Sequence, residues 1–157
     1  MKQRIALCWM RRDLRLHDHP ALHGALTSGL PVLPVFIFDR SILDALTNKH
    51  DRRVTFIHRQ LSGLNEELAA FGSGIWGVHA SASAGWEAIL GDLEQRGVEV
   101  AAVHVNRDYE PYAQERDRAT EAFLESRGIA FHSYRDHVVF EPHEVLKSDG
   151  KPYTVFT

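Results

Sequence analysis

Five short apolar runs rich in β-branched and aromatic residues alternate along the chain with longer amphipathic segments. The apolar runs are 5–9, 32–38, 75–78, 100–105 and 129–131, and each predicts a buried strand. The segments between them, 20–28, 53–71, 85–96 and 112–127, have the apolar spacing of helices. Because strict alternation of strand and helix requires crossover connections, the sequence predicts an α/β fold with a five-stranded, mostly parallel sheet and helices on both faces.

The positions of four glycines support this pattern of strands and helices. Gly29, Gly72, Gly97 and Gly128 each follow a predicted helix, where a residue with left-handed backbone is favoured. With 157 residues and 44% hydrophobic content, one core is expected, and we interpret the chain as a single Rossmann-like domain.

The segment 53–71 carries a stripe of apolar residues at helical spacing. We interpret the stripe as core packing and not as the wall of a ligand groove. Its members are Phe56, Ile57, Leu61, Leu64 and Leu68.

Composition limits the classes of function. No apolar run approaches the roughly 20 residues that cross a bilayer, and the N-terminus lacks a signal-peptide pattern, so we expect no membrane contact and a cytoplasmic location. The single cysteine, Cys8, lies in an apolar run and is expected to fill core space in a reducing compartment. A net charge of −3 argues against a domain whose whole surface binds nucleic-acid phosphates, so any such contact is local or lies elsewhere.

The periodic pattern stops after the fifth run. We divide the chain into an α/β domain over 1–134 and the start of a linker over 135–157. This linker is too apolar to be freely solvated, which predicts that something covers it, such as a second domain. Its apolar residues are Val138, Val139, Phe140, Val145, Leu146, Tyr153 and Phe156.

The loop after the first strand is rich in arginine. Arg11, Arg12 and Arg15 precede the start of a helix, so an anionic or planar polar partner is one interpretation. The alternative is that these arginines pair with nearby acids such as Asp13 and Asp18 and form only a solvated rim.

The loops after the second and fourth strands offer further ligand groups, because ligands of parallel sheets bind beyond the carboxyl ends of the strands. Phe36 and Phe38 would form an aromatic wall, and Asp39 would accept a hydrogen bond from a ring N–H, although a core position for both phenylalanines fits equally well. Asp108 and Glu110 would accept from a heterocycle, or they cap the following helix.

Several signatures of catalysis are not found in this sequence. It has no G-x-G-x-x-G after the first strand, no G-x-x-x-x-G-K, no G-x-S-x-G and no cysteine cluster. His17 and His19 are the closest histidine pair, but residues two apart do not converge on a helix, so no metal site is predicted. We assign no catalytic residue.

The segment Trp9-Met-Arg-Arg-Asp-Leu-Arg-Leu-His-Asp-His-Pro-Ala-Leu22 resembles the opening signature of the DNA photolyase and cryptochrome family. Arg53, the segment Asn106-Arg-Asp-Tyr-Glu-Pro-Tyr112 with Arg116-Asp117, and Gly150-Lys-Pro-Tyr-Thr-Val-Phe-Thr157 reinforce the resemblance in family order. Two positions depart from the family pattern. Met10 stands in place of the common Phe, and His19 replaces the usual Asn before Pro20.

The resemblance implies an N-terminal light-harvesting domain of a longer protein. This domain would hold an antenna chromophore, whereas FAD and damaged DNA would bind only to a helical domain that is missing here. The parent would be a deoxyribodipyrimidine photolyase, in which reduced FAD splits pyrimidine dimers under blue or near-ultraviolet light, and the fragment alone is not expected to be catalytic. The alternatives are a cryptochrome-type signalling module and a stand-alone nucleotide-using enzyme whose arginine loop holds phosphate.

The resemblance also implies which residues contact the chromophore. Because Asp108 adds a second acceptor beside Glu110, a deazaflavin is favoured over folate or FMN. Since histidine is a poor helix cap, we expect Asp18 to take that role in place of His19. The predicted cofactor-binding residues are Met10, Arg11, Phe36, Ile37, Phe38, Asp39, Arg53, Asn106, Asp108 and Glu110.

Overall fold

The computed structural model describes residues 2–48, 50–151 and 153, and these form a parallel α/β sheet. The strands are β1 (Gln3–Met10), β2 (Val32–Asp39), β3 (Trp76–Ala80), β4 (Val98–Asn106) and β5 (Ala130–Tyr134). The helices are α1 (Pro20–Leu26), α2 (Arg40–Leu43), α3 (Arg52–Ala69), α4 (Ala82–Gln95) and α5 (Pro111–Glu125). The strand order is β3-β2-β1-β4-β5 with every neighbouring pair parallel, which confirms the predicted fold class.

The order of the strands reverses at the centre of the sheet. The chain moves outward from β1 to β2 and β3, returns to place β4 on the other side of β1, and then adds β5. In open parallel sheets this reversal leaves a crevice beyond the carboxyl ends of the central strands. The fold therefore places the loops after β1, β2 and β4 around one site.

Strand β1 separates two apolar clusters because its side chains alternate between the faces of the sheet. Leu7 and Trp9 face a cluster with α4 and α5, whereas Cys8 and Met10 face a cluster that includes residues of α1 and α3. The predicted core role of Cys8 is confirmed, and burial raises the pKa of its thiol. None of the described helices is long and apolar enough to cross a membrane.

The four glycines predicted to end helices all have positive φ, between 66° and 77°. At Gly97 the backbone N–H donates to the carbonyl oxygen of Glu94 at 2.9 Å, which closes the end of α4. A residue with a Cβ is strained in this conformation, so glycine is required there by backbone geometry.

Three sequence-based expectations differ from the structure. His19, and not Asp18, caps α1, because its Nδ1 accepts a hydrogen bond from the backbone N–H of Leu22 at 3.0 Å. Asp18 instead adopts a positive φ of 49° in the preceding turn. In α3 the stripe is only partly core, since Leu64 and Leu68 are buried but Phe56 is 61% exposed. The short helix α2 was not predicted, because four residues carry no detectable period.

The segment after β5 contains no helix or strand among its described residues, yet it is fastened to the sheet domain. Two ion pairs hold it, Arg15–Asp136 at 2.7 Å and Arg107–Glu141 at 2.6 Å, and a third pair, Arg135–Glu144 at 3.0 Å, lies within the segment. Its outer side is apolar and exposed, at Val139, Phe140, Val145, Leu146 and Tyr153. Phe156 and the end of the motif 150–157 lie outside the described residues.

Candidate functional site

A cleft of about 150 Å³ opens at the carboxyl ends of β1, β2 and β4, at the point where the strand order reverses. Its walls come from the loops after these strands, from α2 and α3 on one side and from α4 and α5 on the other. The lining residues are Trp9, Arg11, Arg12, Phe36, Ile37, Phe38, Asp39, Ile42, Leu43, Val54, Ile57, Ala82, Asp108, Glu110, Tyr112, Ala113 and Arg116.

One wall of the cleft is apolar and rigid. Phe36 and Phe38 contact each other edge to face, with ring centroids 4.7 Å apart, on a strand held by parallel neighbours. Ile57 of α3 lines the same cleft, which corrects the interpretation of its stripe as core alone. Such a surface suits the face of a planar ring, because aromatic contacts are strongest between flat, rigid groups.

Trp9 lies at the carboxyl end of β1, and its side chain is almost fully buried. Its ring meets Trp86 of α4 edge to face at 5.2 Å, and the guanidinium groups of Arg11 and Arg116 lie 4.8 and 5.0 Å from its centroid. The indole Nε1 of Trp9 has no hydrogen-bond partner among the described residues. The Trp9 ring is therefore fixed beside the cleft by Trp86 and by cation–π contacts with two arginines.

Arg11 is buried, and its charge is balanced within the protein. It forms an ion pair with Asp117 of α5 and donates to the carbonyl oxygen of Asn106. Burial lowers the pKa of Arg11 from its usual value, and the nearby Asp117 opposes this shift. The side chain therefore ties β1, β4 and α5 together at the base of the cleft.

Arg12 lies at the mouth of the cleft and is exposed. It donates to Glu110 at 2.6 Å and lies 3.8 Å from Asp108. The hydrogen bond to Glu110 raises the pKa of Arg12, although an exposed pair of this kind contributes only about 0–1 kcal/mol to stability. The arginines of the loop therefore do pair with acids, but with distant ones more than with Asp13 and Asp18.

The ion pairs of these arginines argue against the loop after β1 as a phosphate-binding site. Arg11 is held by Asp117, Arg12 by Glu110 and Arg15 by Asp136. An incoming phosphate would have to displace a carboxylate from each of them. The hypothesis of a stand-alone nucleotide-using enzyme thus loses the feature on which it depended.

Asp39 stands at the end of β2 with both carboxylate oxygens engaged. Oδ1 accepts from the backbone N–H of Ser41 at 3.0 Å and caps α2, and Oδ2 accepts from the Tyr112 hydroxyl at 2.6 Å. Burial is the largest cause that raises the pKa of Tyr112, followed by the hydrogen bond to Asp39. Each oxygen keeps one lone pair for a ligand donor.

A second polar cluster lies behind the cleft and is buried. Asp13 accepts from the side chain of Asn106 at 2.7 Å and lies 3.0 Å from Nε2 of His19. Asn106 in turn accepts from the backbone N–H of Ala21 at 2.9 Å. Despite the opposing effect of burial, which is the largest single influence, the bonds to His19 and to the backbone lower the pKa of Asp13 to about 2.

Seven of the ten predicted contact residues line the cleft, namely Arg11, Phe36, Ile37, Phe38, Asp39, Asp108 and Glu110. Met10 does not line it, because its side chain is fully buried in the apolar cluster that also contains Phe36. Asn106 is buried in the second polar cluster, and Arg53 is exposed and pairs with Asp51 at 2.6 Å.

Tyr112 and Arg116 also line the cleft but were not among the contact residues predicted from the sequence. Both lie within the quoted motif and its continuation, but a tyrosine after Pro111 carries no local mark of its role. Only the packing of α5 against the end of β2 brings Tyr112 to Asp39.

Comparisons with known proteins agree on one family. The family model for DNA photolyase matches residues 6–157. A deoxyribodipyrimidine photo-lyase of Alkalihalophilus pseudofirmus is 33% identical over 95% of this chain and 30% of its own length. Cryptochrome-2 of Arabidopsis thaliana is 33% identical over 96% of this chain and 24% of its length.

Solved structures give the same result. A bacterial class III photolyase from Agrobacterium tumefaciens superposes with a TM-score of 0.81 and 28% identity, over 100% of this chain and 31% of its own. An archaeal photolyase from Sulfolobus tokodaii, described with two FAD molecules and as implying a novel light-harvesting cofactor, has a TM-score of 0.74 and 30% identity over 90% of this chain and 32% of its own. The chain spans about a third or less of each of these relatives. It belongs to the DNA photolyase family and corresponds to the N-terminal α/β domain of its members.

Proposed function

We propose that this chain binds a planar light-absorbing chromophore in the cleft and serves as the antenna domain of a photolyase. The observation that carries the proposal is an aromatic slot formed by Trp9, Phe36 and Phe38 beside the carboxylates of Asp39 and Asp108. Aromatic walls bind the faces of a conjugated ring, and carboxylates accept hydrogen bonds from ring N–H or hydroxyl groups at its edge. The family includes a member described with a light-harvesting cofactor, which supports the same role here.

The size of the cleft limits how a chromophore sits. At about 150 Å³ it is smaller than the roughly 300–1,000 Å³ of typical small-molecule sites, but it is open on one side. One ring system would lie inside, and the rest of the molecule would extend through the mouth past Arg12 and Glu110.

A deazaflavin is our preferred chromophore, with folate or FMN as alternatives. Asp108 accepts a weak bond from the backbone N–H of Glu110 at 3.3 Å through Oδ1, while Oδ2 has only Arg12 at 3.8 Å nearby. This second oxygen is therefore well placed to accept from a polar group on the ring. Glu110 is exposed and pairs only with Arg12, so it can turn toward a ligand.

The chromophore would absorb near-ultraviolet or blue light and pass the excitation to FAD. FAD and damaged DNA would bind in a helical region beyond this chain, so the parent would be a deoxyribodipyrimidine photolyase that repairs pyrimidine dimers in the cytoplasm. Residues 1–134 would form the antenna domain, and 135–157 would lead toward the helical region. Since cryptochrome-2 is as similar as the photolyase relatives, a signalling parent is the alternative, and a dimer-repair assay of the full-length protein distinguishes the two.

Chromophore titration tests the proposal directly. The purified domain is mixed with 8-hydroxy-5-deazariboflavin, methenyltetrahydrofolate or FMN, and binding is followed by absorption shift and by calorimetry. We expect Asp108→Asn to weaken deazaflavin binding about tenfold, since a hydrogen bond to a charged group contributes about 1.5–3 kcal/mol. Asp149→Asn, an exposed carboxylate of the final segment, is the matched control. If none of the three chromophores binds to the wild-type domain, the proposal is wrong.

A further inference from the structure

A second cavity adjoins the cleft along α4 and α5. It encloses about 240 Å³, and its lining includes three residues that also line the cleft, Ala82, Tyr112 and Arg116. Tyr112 is the largest uncharged side chain of the three. The ring of Tyr112 therefore stands between the two spaces.

Tyr112 is held in this position from three directions. Its hydroxyl donates to Oδ2 of Asp39 at 2.6 Å, which spans the cleft from α5 to the end of β2. The guanidinium group of Arg116, one turn later on α5, lies 5.8 Å from the centre of the ring. Pro111 fixes the backbone just before it at the first turn of the helix.

Arg116 is itself fixed. Its guanidinium donates to Asp117 at 3.1 Å and lies 5.0 Å from the Trp9 ring. The wall between the two spaces is thus built from groups that already have partners. Opening it by rotation of Tyr112 alone breaks a short hydrogen bond to the carboxylate of Asp39, which opposes the rotation.

The second cavity has its own chemistry. The residues that line it include the hydroxyl-bearing Ser41, Ser81 and Ser83, together with Glu115 and the aromatic ring of Phe123. Hydroxyl groups donate and accept hydrogen bonds and so match a polyol chain. Glu115 would repel a phosphate, whereas the only cation among the lining residues, Arg116, is already paired.

We propose that Tyr112 is a specificity-determining residue that closes the α5 side of the ring cleft and keeps the ligand's polyol tail out of the hydroxyl-lined cavity. This inference rests on the proposed function and identifies the ligand class as a planar ring with a tail that leaves through the mouth. In the wild-type domain the ring alone supplies the affinity. Shortening Tyr112 joins the two cavities, so the tail gains a second site.

The test compares each ring system with and without its tail. Riboflavin is measured against lumiflavin, and 8-hydroxy-5-deazariboflavin against its N10-methyl analogue, by fluorescence and calorimetry. In the wild-type domain we expect each pair to bind within about threefold of one another. In Tyr112→Ala the tailed member is expected to gain at least tenfold over the ring alone, which corresponds to about 1.4 kcal/mol.

Two further variants separate size from hydrogen bonding. Tyr112→Phe keeps the wall but releases Asp39, so it should weaken both members of a pair equally and leave their ratio at the wild-type value. Tyr109→Ala is the matched control, because Tyr109 lies in the loop just before α5, donates to Glu141 at 3.2 Å and is not among the lining residues of either cavity. It should change neither affinity nor ratio. Thermal unfolding and circular dichroism confirm that each variant is folded.

The outcomes distinguish the inference from the function on which it rests. If the wild-type domain binds no chromophore, the proposed function fails and the inference fails with it. If the wild-type domain binds but Tyr112→Ala keeps the wild-type ratio within twofold, only the inference is wrong. Two further outcomes also overturn the role of Tyr112 as a wall. In the first, only the folate binds to the domain. In the second, Tyr112→Ala does not fold and Tyr112→Phe changes the ratio of the affinities for the tailed and tail-less ligands.

Discussion

Two polar regions lie at the same edge of the sheet, but they differ in burial. At the mouth of the cleft, Arg12 and Glu110 pair in solvent, with more than half of each side chain exposed. Behind it, Asp13, His19 and Asn106 form a cluster in which the side chains of Asp13 and His19 are at most 3% exposed. The exposed groups can exchange their partners for a ligand at little cost, whereas the buried groups cannot, because a buried charge without a partner is strongly destabilising.

The difference explains why the arginine-rich motif identifies the family better than it describes a binding site. Asp13 and His19 of the motif bind to Asn106 and cap α1, so they fix the loop after β1. Arg11 joins this loop to α5, and only Arg12 is an exposed arginine lining the cleft. Most of the motif maintains the shape of the edge on which the ligand groups stand.

The largest expected effect separates the two regions by stability. Asp13→Ala removes the acceptor of Asn106 and of the Arg11 backbone N–H and leaves His19 without its carboxylate. We expect the free energy of unfolding to fall by about 3–5 kcal/mol. Urea denaturation followed by circular dichroism measures it.

The matched control for this variant is Glu110→Ala in the exposed region. It should change the free energy of unfolding by less than about 1 kcal/mol, because the Arg12–Glu110 pair lies in solvent. Similar losses in the two variants would show that burial does not separate the two regions.

Much of the fold was predictable because its signals are local. Apolar runs predict the strands, and glycines with positive φ, such as Gly97, mark the ends of helices. The aromatic and acidic groups at the ends of β2 and β4 were also predicted, since strand polarity places them at one edge. The capping role of His19 was not predicted. Its imidazole is held in the capping position by a contact with Asp13, and such a tertiary contact is not visible in the local sequence.

Other parts of the site depend on contacts between distant segments. Tyr112 reaches Asp39 across 73 positions, and Arg11 reaches Asp117 across 106. No local period or spacing encodes these pairs. The same holds for Ile57, whose helical spacing marks an apolar face without saying whether that face meets the core or a cleft.

A smaller effect concerns a third buried polar group, His104 on β4. Burial, and then the neighbouring His132, lower its pKa to about 4 from the usual value of 6.5. The unfolded chain therefore takes up a proton between pH 6.5 and 4 while the folded state does not, so stability falls as the pH drops through this window. We expect a loss of about 2 kcal/mol, measured by urea denaturation at several pH values.

Variants assign this slope to His104. His104→Gln should remove most of it, and His132→Gln should reduce it in part, because His132 is the smaller of the two causes that lower the pKa of His104. An unchanged slope in His104→Gln would contradict the assignment. The experiment also isolates the more acidic range in which Asp13 titrates.

In that lower range the buried cluster has its own pH dependence. Asp13 has a pKa of about 2 in the folded state, below the usual value of 3.8. The stabilisation is fully present above about pH 4 and is lost as the pH falls toward 2, since the unfolded chain binds the proton first. We expect the free energy of unfolding to fall by about 2 kcal/mol over this range, and Asp13→Asn should lack this part of the pH profile.

The smallest effect on stability is expected in the exposed region, at Arg12. Arg12→Gln removes an exposed ion pair and should change the free energy of unfolding by less than about 0.5 kcal/mol. Because the same change frees Glu110 to turn toward a ligand donor, we expect chromophore affinity to change by three- to tenfold while the unfolding midpoint stays constant. Parallel titration and urea denaturation measure both quantities. A change in stability without a change in affinity would place Arg12 with the buried structural groups and remove the distinction between the two regions.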